Sequence, residues 1–208
     1  MDFDHFAGED DTPLDDPEMS ALVAAGRPIA GYYGALARWF DYALFDQVAA
    51  LRPGWTFVLI GPDLDGSMAG RPAFARPNVK WLGPRPYAAL PRYLRRFDVA
   101  TIPFAINPIT ISTSPLKLFE YFAAGKPVVT TPMPECAAFP EVRIAATAEA
   151  FAEALDAARE QGRDAAFRDR LRAIGRANSW DARVAEALGA LARGKRPREG
   201  AAYTDSRR

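Results

Sequence analysis

Apolar residues along the chain fall into short blocks separated by glycine and proline, and the blocks alternate between two periods. "PIAGYYG" (28–34), "WTFVLIG" (55–61), "NVKWLG" (78–83), "VATIPF" (99–104) and "PVVTT" (127–131) are brief runs of β-branched and aromatic residues, which is how buried strands read. "RIAAT" (143–147) adds a last short strand. Between them the period becomes helical. Leu36, Phe40, Leu44, Val48 and Leu51 predict an amphipathic helix over 36–51. "YAALPRYLRRF" (87–97) reads as helix despite Pro91, residues 115–124 form a helix closed by Gly125, and three helical runs follow near 148–161, 163–176 and 180–193. Residues 62–76 and 105–113 read as loops. Strands alternating with helices at this spacing predict an α/β fold: one Rossmann-like domain with a mainly parallel sheet, helices on both faces and a helical carboxyl-terminal region. Ligands of such sheets sit just beyond the carboxyl ends of the strands.

The 208 residues divide on this reading into an acidic linker (1–27) with one short helix at "PEMSALVAAG", the domain proper (28–193), and a polar basic tail (194–208). Residues 2–18 hold eight acids and neither Lys nor Arg. Across the chain 26 basic residues balance 26 acidic ones, which argues against nucleic acid as partner. The single cysteine, Cys136, excludes an intrachain disulfide and suits a reducing cytoplasm; it reads as structural. The one histidine, His5, lies in the acidic segment and reads as solvated, so no zinc site is expected. No run of about 18 apolar residues is present, and "MDFDHFAGEDD" has the wrong charge for a signal peptide.

The chemistry concentrates in "TSPLKLFEYFAAGKPVVTT" (113–131). From Leu116 to Ala124 only Lys117 and Glu120 are charged. Ser114 reads as the N-cap and Pro115 as the first helical residue. The amides of Leu116 and Lys117 then open a positively polarised helix end that suits a phosphate. A lysine in the first turn opposes the helix dipole, and a bound anion would resolve that conflict. Glu120, three residues on along the same face, suits the two hydroxyls of a ribose. The competing reading is a solvated stripe with an i,i+3 ion pair.

"SPLKLFEYFAAGKPVVTT" resembles the donor-binding segment of nucleotide-sugar-dependent glycosyltransferases of the two-Rossmann-domain (B-type) fold. "PIAGYYGALARWFD", "WTFVLIGP", "NVKWLGPRPYAALPRYLRRFDVATIPF" and "SWDARV" match in order, over about residues 28–193. The resemblance implies that Glu120 is the second of two glutamates and binds ribose. It implies that Lys117 and the Ser114–Leu116 segment hold the diphosphate. It makes Gly34 the glycine that lets phosphate approach the backbone, and sets Arg85, in the "GPRP" turn, near the base. Ser112 stands where the first glutamate, which positions the donor sugar, would be. Arg38 is the one arginine in the first glycine loop. The pattern is similar to a subgroup that builds cell-surface polysaccharides, and uridine is its commonest base.

These implications define a transferase that uses a nucleotide sugar, UDP-linked, with no cofactor and no metal, and a glycan or lipid-linked acceptor. The chain matches the carboxyl-terminal, donor-binding half. An amino-terminal Rossmann half, as a separate subunit, would carry the acceptor site, and the expected place is the cytoplasm, peripheral at the inner membrane face. Two other readings stay open: a non-catalytic nucleotide-sugar-binding module or split-enzyme subunit, and a sugar-nucleotide epimerase, which needs a histidine that residues 28–193 lack.

Overall fold

The computed structural model describes residues 1–8 and 14–192. The basic tail expected over 194–208 lies outside the described residues. Two short helices, α1 (Phe3–Ala7) and α2 (Pro17–Ala24), precede the sheet. Then β1 (Ile29–Tyr33), α3 (Tyr42–Leu51), β2 (Thr56–Ile60), β3 (Val79–Trp81), α4 (Leu90–Arg95), β4 (Val99–Ile102), α5 (Leu116–Ala123), β5 (Val128–Thr130), α6 (Pro134–Ala137), β6 (Arg143–Ile144), α7 (Ala148–Gln161), α8 (Ala165–Ala177) and α9 (Trp180–Ala192) follow. The six strands form one parallel sheet in the order β3-β2-β1-β4-β5-β6.

This is the doubly wound arrangement read from the alternating pattern. The strand order reverses between β1 and β4, and such a switch point opens a crevice beyond the carboxyl ends of the two strands. The strands need no polar face, because helices cover both sides: β1, β2, β4 and β5 are buried at every position. Helix α3 packs on α7, while α5 packs on α8 and α1. Pro91 is tolerated because it stands in the first turn of α4, where its missing N–H has no helical partner to lose.

Two expectations are corrected. The helix predicted over 36–51 begins at Tyr42, where the Asp41 side chain accepts from the Leu44 amide at 2.9 Å. Residues 35–40 instead run across the crevice: the Leu36 amide donates to the Pro62 carbonyl (2.9 Å), and Phe40 forms a bridge with Phe104. The acidic segment is not a free tail where it is described: its apolar side packs, while Asp2, Asp4, Asp15 and Glu18 stay exposed. Met1, Phe3 and Phe6 are buried against the core, so the apolar side of α1 outweighs the charge of its surroundings. His5 stacks on Tyr87, with ring centroids 4.8 Å apart. Asp16 is buried; its carboxylate caps α2 through the Met19 amide and takes Arg85 at 2.9 Å and Tyr93 at 2.7 Å. Burial works against its ionisation, but these hydrogen bonds and the Arg85 charge win and lower its pKa to about 2.

Candidate functional site

The switch-point crevice is built from three backbone features. Gly34 ends β1 at φ 132°, a conformation L residues rarely adopt, and its amide donates to the Ile60 carbonyl at 2.8 Å. Gly61 ends β2 at φ 143°, and a Cβ there would stand 2.0 Å from the Gly34 carbonyl oxygen. Two strand ends are thereby drawn together with bare backbone. The third feature is the start of α5, which comes off the loop that follows β4.

Lys117 lies in the first turn of α5 and reaches over the end of β1. A Cβ on Gly34 would meet its Nζ at 3.0 Å. The ammonium donates to the Tyr32 hydroxyl at 3.2 Å, and that hydroxyl donates in turn to the Ala35 carbonyl at 2.9 Å. It also lies 4.6 Å from the centroid of the Tyr32 ring and 4.7 Å from that of Phe104. Ring faces attract the cation but accept no proton from it. Burial lowers the Lys117 pKa to about 8, against the pull of Glu120. Among the described residues Lys117 forms no ion pair, so the solvated i,i+3 pair with Glu120 is not what the stripe is for.

Glu120 is buried. Its carboxylate accepts from the Tyr33 hydroxyl at 2.8 Å and the Tyr87 hydroxyl at 3.4 Å. Burial raises its pKa, with the tyrosine hydrogen bonds and Lys117 opposing. A carboxylate offers about four lone-pair positions, so two tyrosines leave acceptor capacity. The sequence reading missed both tyrosines. The signal was present in "YY": neighbours in a strand point to opposite faces, so one of Tyr32 and Tyr33 had to reach each side of the sheet.

The remaining candidates are distributed unevenly. Ser114 does not cap α5. The N-cap is Pro115, no side chain caps the helix, and the Ser114 hydroxyl donates instead to Glu135 at 3.1 Å. The helix start therefore lacks an internal acceptor, and its first amides stay open to an anion. Pro115 is buried and Leu116 exposed. Ser112 is exposed, on a 3-10 turn (Thr110–Ser112), with its hydroxyl donating to the Pro108 carbonyl at 3.1 Å. Arg85 is turned toward Asp16, Tyr93 and the Leu82 carbonyl, which leaves its guanidinium fork holding α2 onto the turn. Arg38 pairs with Asp65 in the loop after β2 at 3.2 Å. Cys136 is buried, and burial raises its thiol pKa to about 11, the state of an inert thiol. Ile106, Ile109, Ile111 and Leu116 stay exposed around the crevice.

Comparison with known proteins agrees with this fold. The family described as Glycosyl transferases group 1 matches residues 27–161. A protein of Bacillus subtilis (strain 168) named "Putative teichuronic acid biosynthesis glycosyltransferase TuaH" is 29% identical over 171 residues, covering 79% of this chain and 43% of the relative. Among solved structures, Anabaena Alr3699/HepE in complex with UDP and glucose superposes with a TM-score of 0.66 at 18% identity, over 92% of this chain and 55% of that one. A glycosyltransferase from Rickettsia africae ESF-5 superposes with a TM-score of 0.68 at 12% identity, over 91% and 54%. At these identities the structures share the fold with this chain. The chain thus spans about half the length of the relatives it matches.

Proposed function

Because the chain belongs to the group 1 glycosyl transferases, we propose that residues 28–193 are the donor-binding half of an enzyme that moves a sugar from a nucleoside diphosphate sugar to a glycan or lipid-linked acceptor. The observation that carries this reading is Lys117: a desolvated cation with no ion-pair partner among the described residues, over a glycine and beside an uncapped helix start, at the switch point of the sheet. A diphosphate supplies the missing charge. Glu120 accepts the ribose hydroxyls with the lone pairs its tyrosines leave, and Gly34 gives the phosphates room. Ser112 faces the donor sugar from the exposed turn, and the turn at Gly83–Pro86 receives the base through main-chain groups. Uridine is the proposed base, and the proposed place of action is the cytoplasm, with peripheral attachment to the inner membrane face. No helix among the described residues is long and apolar enough to cross a membrane.

The transfer step needs the anomeric carbon and the acceptor hydroxyl held to within about an ångström. One wall of a cleft does not do that, and the chain spans 43% of its curated relative. The other wall of the cleft is therefore proposed to come from an amino-terminal Rossmann half, and the exposed isoleucines around the crevice support a covering surface there. The protein should be stabilised by UDP-sugars in a thermal-shift series. With a radiolabelled donor and a lipid extract as acceptor it should form product only when the amino-terminal half is added. Product from this chain alone overturns the half-enzyme reading, and no stabilisation by any nucleotide sugar overturns the donor site.

A further inference from the structure

The two tyrosines on Glu120 are not equivalent. Tyr33 closes β1 and is buried, at 3% exposure. Tyr87 is 52% exposed and opens a 3-10 turn (Tyr87–Ala89) just after Pro86. Tyr33 donates to Oε2 of the carboxylate at 2.8 Å, whereas Tyr87 reaches Oε1 only at 3.4 Å. Hydrogen bonds between oxygens run from about 2.5 to 3.0 Å, so the first is a full bond and the second is stretched.

Their rings are also held differently. Tyr33 stands edge-on to Tyr121, with centroids 5.0 Å apart, and parallel to Phe6 at 6.1 Å. Its amide donates to the Tyr121 hydroxyl at 3.3 Å, and its backbone pairs with Ile60 of β2. Tyr87 has no strand around it. Its ring stacks on His5 and meets Phe6 edge-on at 5.7 Å, so both ring partners come from α1, a helix of five residues. The groups that act on the Glu120 charge are these two tyrosines, Tyr121, Lys117 and the amino group of Met1. Burial raises the Glu120 pKa, and the Tyr33 hydrogen bond is the largest opposing influence, ahead of Lys117 and Tyr87.

A ligand that brings two neighbouring hydroxyls to a buried carboxylate needs room on its oxygens, and a donor already there has to give way. The bond that yields is the stretched one, whose ring is half exposed. We infer that Tyr33 is a positioning residue that aims the Glu120 carboxylate, and that the Tyr87 hydroxyl holds a ligand's place on Oε1 until a vicinal diol displaces it. On the reading of Glu120 as the ribose acceptor, on which this rests, the pair adds a selection. A ligand that lacks one of the two hydroxyls leaves Tyr87 where it is. Loss of the Tyr33 bond lets Glu120 take up a proton at a higher pH, and the diol contact then weakens from that pH downward.

The test reads the ratio of the Kd for 2′-deoxy-UDP to the Kd for UDP, by titration calorimetry from pH 5 to 8. Both ligands carry the same diphosphate, so its protonation and that of Lys117 cancel in the ratio. The wild-type ratio should be about five at neutral pH and fall toward one in acid. Tyr33→Phe should bring it to within about twofold of one at neutral pH and move the fall to higher pH. Tyr87→Phe should raise it about twofold, because no hydroxyl then has to be displaced. If Tyr33→Phe does not fold, Tyr87→Phe decides alone, since removing a group that merely supported Glu120 would not strengthen binding. A ratio that Tyr87→Phe lowers or leaves unchanged, or that Tyr33→Phe leaves unchanged, overturns the inference while the ribose reading stands. A wild-type ratio of one at every pH removes the ribose reading and the inference with it. No binding of UDP at all removes the donor site as well.

Discussion

Lys117 and Lys126 stand near opposite ends of α5, and burial brings both down to a pKa of about 8. Their surroundings differ. Lys126 donates to two main-chain carbonyls and so ties the end of α4 to the turn before β5. Lys117 has one hydroxyl and two ring faces. The same cost of desolvation is thus offset by the protein's own backbone at one position and left incompletely offset at the other. A lysine satisfied by carbonyls is part of the fold; the one over aromatic rings beside an uncapped helix is the one proposed to meet a ligand.

The comparison breaks first on substitution. Lys117→Ala should weaken UDP binding by roughly 10- to 150-fold, from the loss of a charge-assisted contact of about 1.5–3 kcal/mol, and leave uridine binding unchanged. Titration calorimetry on both ligands checks this, and Lys126→Ala is the matched control that should leave UDP affinity alone. Equal losses for UDP and uridine would mean that Lys117 does not touch phosphate.

Proton linkage sharpens it. Free Lys117 loses its proton as pH rises through about 8, whereas a bound diphosphate holds the proton on. Binding above that pH must take a proton up, so affinity falls with rising pH by up to about tenfold per unit until the bound-state pKa is reached. The arginine in Lys117→Arg stays charged throughout. The ratio of wild-type to variant Kd, measured from pH 7 to 10, should climb; a flat ratio places the phosphate elsewhere.

The structural lysine should show itself in stability. Lys126→Met removes two hydrogen bonds to buried carbonyls but also a buried charge, so a loss of about 1–2 kcal/mol is expected in urea denaturation. A neutral result would put Lys126 in the same class as Lys117. The smallest effect belongs to Glu120. Glu120→Gln should cost about 1 kcal/mol more with UDP than with its 2′-deoxy counterpart, the difference being one ribose hydroxyl. Equal costs, to within about 0.3 kcal/mol, leave Glu120 as a partner of Tyr33 and Tyr87 alone.

The sheet and its helices were legible because burial on both faces leaves short apolar runs that glycine and proline delimit. Helix α5 was legible for the same reason, and with it the place of Lys117 in its first turn, though not its cap. What was hidden came from distance along the chain. Leu36 and Phe40 keep helical spacing with Leu44, yet they bond to residues of the loops after β2 and β4, and no local pattern reports that. Ser114 has the chemistry of a cap, but Glu135, 21 residues later, takes its hydroxyl. Arg85 sits in the turn the resemblance pointed to, but Asp16, 69 residues earlier, claims it. Arg95, Arg159 and Arg168 come from α4, α7 and α8 yet line one cavity, so their convergence exists only in three dimensions. Helix α1 was misjudged on composition, although Phe3 and Phe6, three residues apart, are the spacing of one helical face.

Cys136 gives this molecule a clock. It carries the chain's single sulfhydryl, closed off from solvent beside the sheet edge formed by β5 and β6. A thiol reagent can mark the protein only while that edge has opened. The labelling rate therefore counts openings of the half of the sheet that follows β4, without any reporter having to be engineered in. A ligand of the switch-point crevice can then be judged by how far it slows that clock.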